Sequence, residues 1–267
     1  MSDSHINTRP AAVAGMFYTN DADQLSAEIR SYLDQAPTNQ YTIIPKAIIV
    51  PHAGYIYSGP VAASAYSLLG PVADKIKQVI LLGPSHRVAF HGIATPDADY
   101  FETPLGKIKI NQDLCHSINQ LDFVFPDNRA HQQEHSLEVH LPFLQTVLSD
   151  FELTPLVVGD CSQEDVARLL DKVWGDEQTL IVISSDLSHY HSYEAALQID
   201  RNTSTAIEHL QPEKIHYDQA CGRNPLNGLL TLARSKQLTV DLLDLRNSGD
   251  TAGSKDRVVG YGAYAVH

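Results

Sequence analysis

Three apolar runs in this chain end abruptly in a side chain able to bind a metal. Ile48-Ile49-Val50 is a β-branched run that reads as a buried strand and stops at Pro51, with His52 next. The same layout recurs at VILLGPSH, ending in His86, and at LIVISSDLSH, ending in Asp186 and His189. Each run is followed by a helical pattern, the sequence form of a βαβ crossover. The Ile48, Ile80 and Ile181 strands are therefore expected to be parallel neighbours or near-neighbours, with their polar tips on the rim where open α/β sheets place ligands.

The rest of the pattern fills in around these units. Arg9–Tyr18 is an apolar stretch expected to pack as an N-terminal arm. Asn20-Asp21 can cap a helix over Ala22–Leu33, ended by the APTNQ stretch. The first crossover helix is placed at about Pro60–Leu69 and the next strand at Gln78–Gly83, broken by Pro84-Ser85-His86. Short alternating runs about Pro104-Leu105-Gly106 predict an antiparallel hairpin, and Asn111 caps a helix over Gln112–Leu121. In Ala130–Leu148 the residues Leu137, Leu141, Leu144 and Leu148 share a helical face, with a break or kink expected at Pro142. A strand at Leu153–Val158, a helix at Gln163–Trp174 capped by Ser162, a strand at Leu180–Ser184 and a helix over Tyr193–His209 follow. Cys221-Gly222-Arg223-Asn224-Pro225 reads as a loop feeding a helix to Lys236, because proline suits a first turn. Strands at Val240–Leu245 and Gly262–Val266 close a single α/β domain, 1–267, with a mixed, mostly parallel central sheet and helices on both faces.

Composition narrows the partners. Lys and Arg number 19 against 32 Asp and Glu, a net charge of −13 without a basic block, which disfavours nucleic acid and anionic membranes alike. Cys115, Cys161 and Cys221 form no CxxC pair, as expected of free thiols in a reducing compartment. No signal-peptide pattern opens the sequence and no apolar run nears the ~20 residues of a membrane span, so a cytoplasmic location is expected.

The candidate chemistry lies at the strand tips. His52 and His86 can converge on one ion, and neutral imidazole suits Fe, Cu, Zn or Ni. Either Asp186 or His189 can add a third ligand, or His189 can act as a general base held by Asp186. Cys221 precedes a helix start beside Arg223, a setting that favours a thiolate. Glu134-His135-Ser136-Leu137-Glu138-Val139-His140 misses the HExxH spacing of zinc proteases, since its histidines are five apart. Glu134 and Glu138, or His135 and Glu138, can still share a face toward the site.

Taken in order, AGMFY, PHAGYIYSG, LLGPSH, EHSLEVHLPFL, SSDLSHY, CGRNP and RVVGYGAYA resemble the Memo family across nearly the whole chain. Its bacterial and archaeal members are often labelled AmmeMemoRadiSam system protein B. The resemblance implies a fold similar to class III extradiol dioxygenases, with a metal held by His52, His86 and Cys221. It places Asp186 and His189 as lining residues, His189 in the position of the dioxygenase base, and His135, Glu138 and Tyr55 nearby against a substrate. A thiolate in place of the dioxygenase carboxylate favours copper as well as iron. The implied function is a metal-dependent redox enzyme, Fe(II) first, copper second and zinc third. A non-catalytic binding or signalling module and a metal-assisted hydrolase are the competing functions. Implied partners are a small molecule or peptide in the pocket, and radical SAM and AMMECR-type proteins.

Overall fold

The computed structural model describes residues 6–37 and 43–267. In chain order the elements are β1 (Thr8–Arg9), α1 (Ala22–Gln35), β2 (Ala47–Val50), α2 (Tyr55–Tyr66), β3 (Gln78–Pro84), β4 (Ile93–Thr95), β5 (Tyr100–Thr103) and β6 (Gly106–Lys109). Then come α3 (Gln112–Ile118), β7 (Val124–Pro126), α4 (Asn128–Gln132), α5 (His135–Glu138), α6 (Leu141–Val147), β8 (Glu152–Val158), α7 (Gln163–Lys172) and β9 (Thr179–Ser184). The chain ends with β10 (His189–His191), α8 (Tyr193–Glu208), α9 (Arg223–Ser235), β11 (Val240–Asn247) and β12 (Val258–Val266).

The three apolar runs are adjacent. The main sheet runs β10-β12-β2-β9-β3-β8-β4-β7, with β11 on the outer side of β12. β2, β9, β3 and β8 are mutually parallel, with Ile48 opposite Val182 and Ile80 opposite Ile181. Parallel pairing puts the C-terminal tips of β2, β3 and β9 on the same edge, so His52, His86 and Ser184 emerge together. The parallel character is confined to this centre. β12 runs antiparallel to β2, β10 and β11, and β4 runs antiparallel to β8. A small second sheet joins β1 to the β5–β6 hairpin.

Both faces of the central strands are covered. Ile48, Val50, Val79 and Leu81 enter a core shared with α1, α2 and α6, whereas Ala47, Ile49, Ile80 and Leu82 enter one shared with α7 and α9. Every residue of β2 is buried, which explains an unbroken apolar run in place of alternation. Burying each such large aliphatic side chain contributes roughly 1.5–3 kcal/mol.

Some sequence boundaries move, for local reasons. α2 starts at Tyr55, not Pro60: Gly54 already turns the chain, and Pro60 falls inside the helix, where it forgoes one backbone bond. Pro84 continues β3 through Val158 of β8. Ala130–Leu148 is three short helices, because Glu134 caps α5 at one interruption and Pro142 opens α6 at the next. α3 ends at Ile118 and α7 at Lys172, each short of its expected end, whereas β12 begins at Val258, four residues early. β10 is a strand the pattern did not announce. Of the stretch 36–40, Ala36 caps α1 and residues 38–40 lie outside the described residues.

Candidate metal centre

His52 stands two residues past the end of β2, after Pro51, and is 1 % exposed. Its Nδ1 lies 2.6 Å from Ser184 Oγ, and His140 Nε2 lies 2.9 Å from the same oxygen. Ser184 Oγ is also 2.6 Å from the Ser136 carbonyl, which can only accept. The single hydroxyl proton therefore goes to Ser136, and both imidazoles must donate to Ser184. His52 is thereby held as the Nδ1–H tautomer, with its Nε2 lone pair turned toward Cys221. Burial, and then repulsion from His86, His135, His140 and His189, holds its pKa well below the usual value, so it stays neutral. His140 is likewise neutral, lowered to about 3 by burial and His135, and Tyr66 Oη donates to its Nδ1 at 3.0 Å.

His86 leaves the tip of β3 and meets Glu134. Glu134 Oε2 accepts the His86 backbone N–H at 2.6 Å, while Oε1 accepts its Nδ1–H at 2.8 Å and the Ser136 N–H at 2.9 Å. Burial raises the Glu134 pKa, but the His86 and Ser136 hydrogen bonds outweigh it and the carboxyl sits at about 2. An ionised carboxylate behind Nδ1 orients a histidine and makes its Nε2 a better ligand. His135, the first residue of α5, lies with its ring centroid 4.5 Å from that of His86 and 5.5 Å from that of His52. His52 and His86 are 5.1 Å apart. One nitrogen from each of the three lies within 4.8 Å of the others. His135 Nδ1 is buried without a hydrogen-bond partner, and burial lowers the ring's pKa to about 4. Three converging imidazoles, two of them held neutral by burial, form a donor set that fits a first-row transition metal.

Cys221 stands at the mouth of α9, with Sγ 3.3 Å from His52 Nε2. Burial, with the Asp186 carboxylate second, pushes its pKa up, so the thiol keeps its proton and donates to that imidazole. Metal binding would release that proton. α9 begins here because Gly222 is packed against the β9 tip: a Cβ on it would lie 2.4 Å from Ser184 O. Asp186 is 4 % exposed, and Oδ1 accepts the His52 backbone N–H at 2.7 Å. Its nearest approach to the ring itself is 4.0 Å, from Oδ2 to Nε2. Burial raises the Asp186 pKa against the pull of His189. His189 shares its Nδ1 proton with Leu187 O at 2.8 Å, which leaves its Nε2 free.

Two residues expected against a substrate face elsewhere. Glu138 is fully buried: Oε2 takes Arg9 at 2.6 Å and the Ala12 N–H at 2.7 Å, and Oε1 takes the Val13 N–H and Tyr18 Oη. It clamps the N-terminal arm, which carries Phe17 to 4.7 Å from the His135 ring. Tyr55 is 2 % exposed and donates to Val139 O at 2.6 Å, so it braces α2 against the chain after α5. Sequence reasoning missed Ser184 and His140 as parts of the site, and Glu134 as the partner of His86. A signal for Ser184 was available: a hydroxyl ends the apolar run Leu180–Ile183 at the strand tip.

The sequence model described as "Memo-like protein" matches residues 9–265. The chain belongs to the Memo family. It is 37% identical over 270 residues to a MEMO1 family protein of Aquifex aeolicus, covering 96% of this chain and 98% of the relative. Similar relatives are MEMO1 family proteins of Saccharolobus solfataricus, 32% identical with 95% and 97% covered, and Methanosarcina barkeri, 33% identical with 97% and 99% covered. The Memo blocks PHAGY and GPSH supply His52 and His86, and EHSLE supplies Glu134 and His135.

Proposed function

We propose that this Memo family chain is a metal-dependent redox enzyme related to class III extradiol dioxygenases, taking iron first and copper second. The observation that carries it is the convergence of His52 and His86, each with Nδ1 already engaged and Nε2 left for an ion. Cys221 is the third ligand in this reading: its sulfur already shares His52 Nε2, and softness toward iron and copper follows from a thiolate. His135 is its rival. The bound metal would supply the electron transfer for oxidising an organic substrate with O₂. The protein's own part is to keep His52, His135 and His140 neutral by burial, fix the His52 and His140 tautomers, and present His189 Nε2 as the proton acceptor. Asp186 positions the His52 turn. The substrate is a small molecule or peptide, with radical SAM and AMMECR-type proteins as further partners and the cytoplasm as the site of action. Among the described residues no helix is long and apolar enough to cross a membrane.

The histidine triad also favours a second reading. Three histidines without a thiolate suit a zinc-bound water and a hydrolase. Anaerobic titration with Fe(II), Cu(I) and Zn(II), followed by elemental analysis of the wild type, Cys221→Ser and His135→Ala, separates the two. Loss of iron and copper in Cys221→Ser supports the redox site. Iron and copper binding unchanged in Cys221→Ser but lost in His135→Ala sinks the thiolate, and preference for zinc points to hydrolysis. Metal binding without O₂ uptake against catechols and other reductants leaves a binding module.

A further inference from the structure

A cleft of about 230 Å³ adjoins the candidate metal centre through Cys221. Cys221 is in its wall, and so are Ser85, Asp160, Tyr217, Arg223 and Asn224. Two of the polar groups are occupied: Ser85 Oγ donates to Val88 O at 2.6 Å, and Asn224 Nδ2 donates to Gly159 O at 2.9 Å. Asp160 is 73% exposed and paired with His91 at 3.1 Å. Arg223 is different. Its Nε–H is buried without an acceptor, and its guanidinium lies 5.9 Å over the Tyr217 ring. Among the described residues, Arg9 and Arg246 are the other arginines withdrawn from solvent, and each has a carboxylate. In a chain with 32 acidic residues against 19 basic ones, a half-buried arginine left without a carboxylate is a vacancy for an anion.

We propose that Arg223 binds the carboxylate of a small monoanionic substrate, holding the rest of the molecule beside Cys221. The role of Cys221 rests on the metal-site reading; the anion site does not. A carboxylate fits better than a phosphate dianion, because one arginine faces it while Asp160 stands in the same wall and would repel a second negative charge.

The test titrates metal-free protein calorimetrically with benzoate, benzamide and inorganic phosphate. Benzoate should bind the wild type about 10-fold or more tighter than benzamide, the scale of a charge-assisted hydrogen bond. Arg223→Met should abolish that preference and Arg223→Lys should keep part of it, both with unchanged circular dichroism. Should Arg223→Met not fold, Arg223→Lys decides alone, since a lysine cannot make the bidentate contact and must weaken benzoate. Absence of benzoate binding, equal affinity for benzamide, tighter binding of phosphate, or wild-type preference in either variant overturns the proposal. Metal content of the wild type is read separately by elemental analysis. A failure there with the benzoate preference intact removes the metal and leaves the anion site standing.

Discussion

At the residue scale, one hydroxyl sets two imidazoles. Ser184 Oγ accepts from His52 and His140 while donating to Ser136, so Ser184→Ala leaves two buried N–H groups without an acceptor. Each such group costs about 1–3 kcal/mol. Loss of an outer partner typically weakens metal binding ~10–100-fold. Metal titration of Ser184→Ala should therefore show at least the lower end of that range, and parent-like affinity would remove Ser184 from the site. His189→Ala has the opposite signature: most of the metal stays bound while O₂ uptake disappears, and metal loss would instead make His189 a ligand. His131 gives a pH effect remote from the metal. Burial lowers its pKa from 6.5 to about 4, and its Nε2–H is spent on Ala94 O at 3.0 Å. The unfolded chain takes up that proton first as pH falls. The neutral ring's contribution is thus complete above pH ~6.5 and is lost progressively toward pH ~4. Denaturant titrations across that window should show a flatter pH dependence for His131→Gln than for the wild type.

Helix and strand ends carry the site at the next scale. β2, β3 and β9 are parallel and adjacent, so their tips deliver His52, His86 and Ser184 to one edge. α5 and α9 then bring Glu134, His135 and Cys221 to that edge from outside the sheet. Close approach of α9 depends on Gly222, where an added Cβ would meet Ser184 O at 2.4 Å and Ser185 Cβ at 2.7 Å. Both are packed against strand backbone, so neither can yield cheaply. Gly222→Ala should push the start of α9 off β9 and move the Cys221 sulfur from His52, with a destabilisation of ~1–3 kcal/mol as in overpacked cores. The slowed reaction of Cys221 with a thiol reagent that metal addition should produce in the wild type should vanish in that variant. β10 shows the same economy on a smaller scale. A bulge between His189 and His191 leaves Tyr190 at φ 61, exposed beside Arg257, while His189 stays close enough to His52 and Asp186 to bias their protonation.

The whole molecule is closed by its N-terminal arm. Arg9 and Glu138 form a buried pair at 2.6 Å, and the arm's Ala12 and Val13 N–H groups complete the carboxylate. Removing one partner of a buried pair leaves the other charge uncompensated, typically ~3–5 kcal/mol. Glu138→Ala should lose about that much in denaturant-melt stability and also free Phe17 from His135; a loss under ~1 kcal/mol would mean the arm carries no such clamp.

What the amino-acid order determines unaided is whatever depends on neighbours along the chain. The apolar runs into Pro51, Pro84 and Ser184, the caps at Asp21, Asn111 and Ser162, and the hairpin near Gly106 were all legible, because strand burial, capping and turns are local. So were the positions of His52, His86, Asp186, His189 and Cys221 at or beside a strand end or a helix start. The parallel direction and near-adjacency of the three central strands followed from their strand–tip–helix units, whereas their order, β2-β9-β3, did not. Only the tertiary structure decided which side chains share a bond across 44 to 169 residues, as His140 with Ser184 and Cys221 with His52 do. It also turned Glu138 to the arm and Glu134 to His86, although both lie in one heptapeptide. The reason is physical: a carboxylate goes wherever folding supplies enough donors to offset its desolvation, and those donors, Arg9 and the His86 main chain, are set by packing and not by spacing.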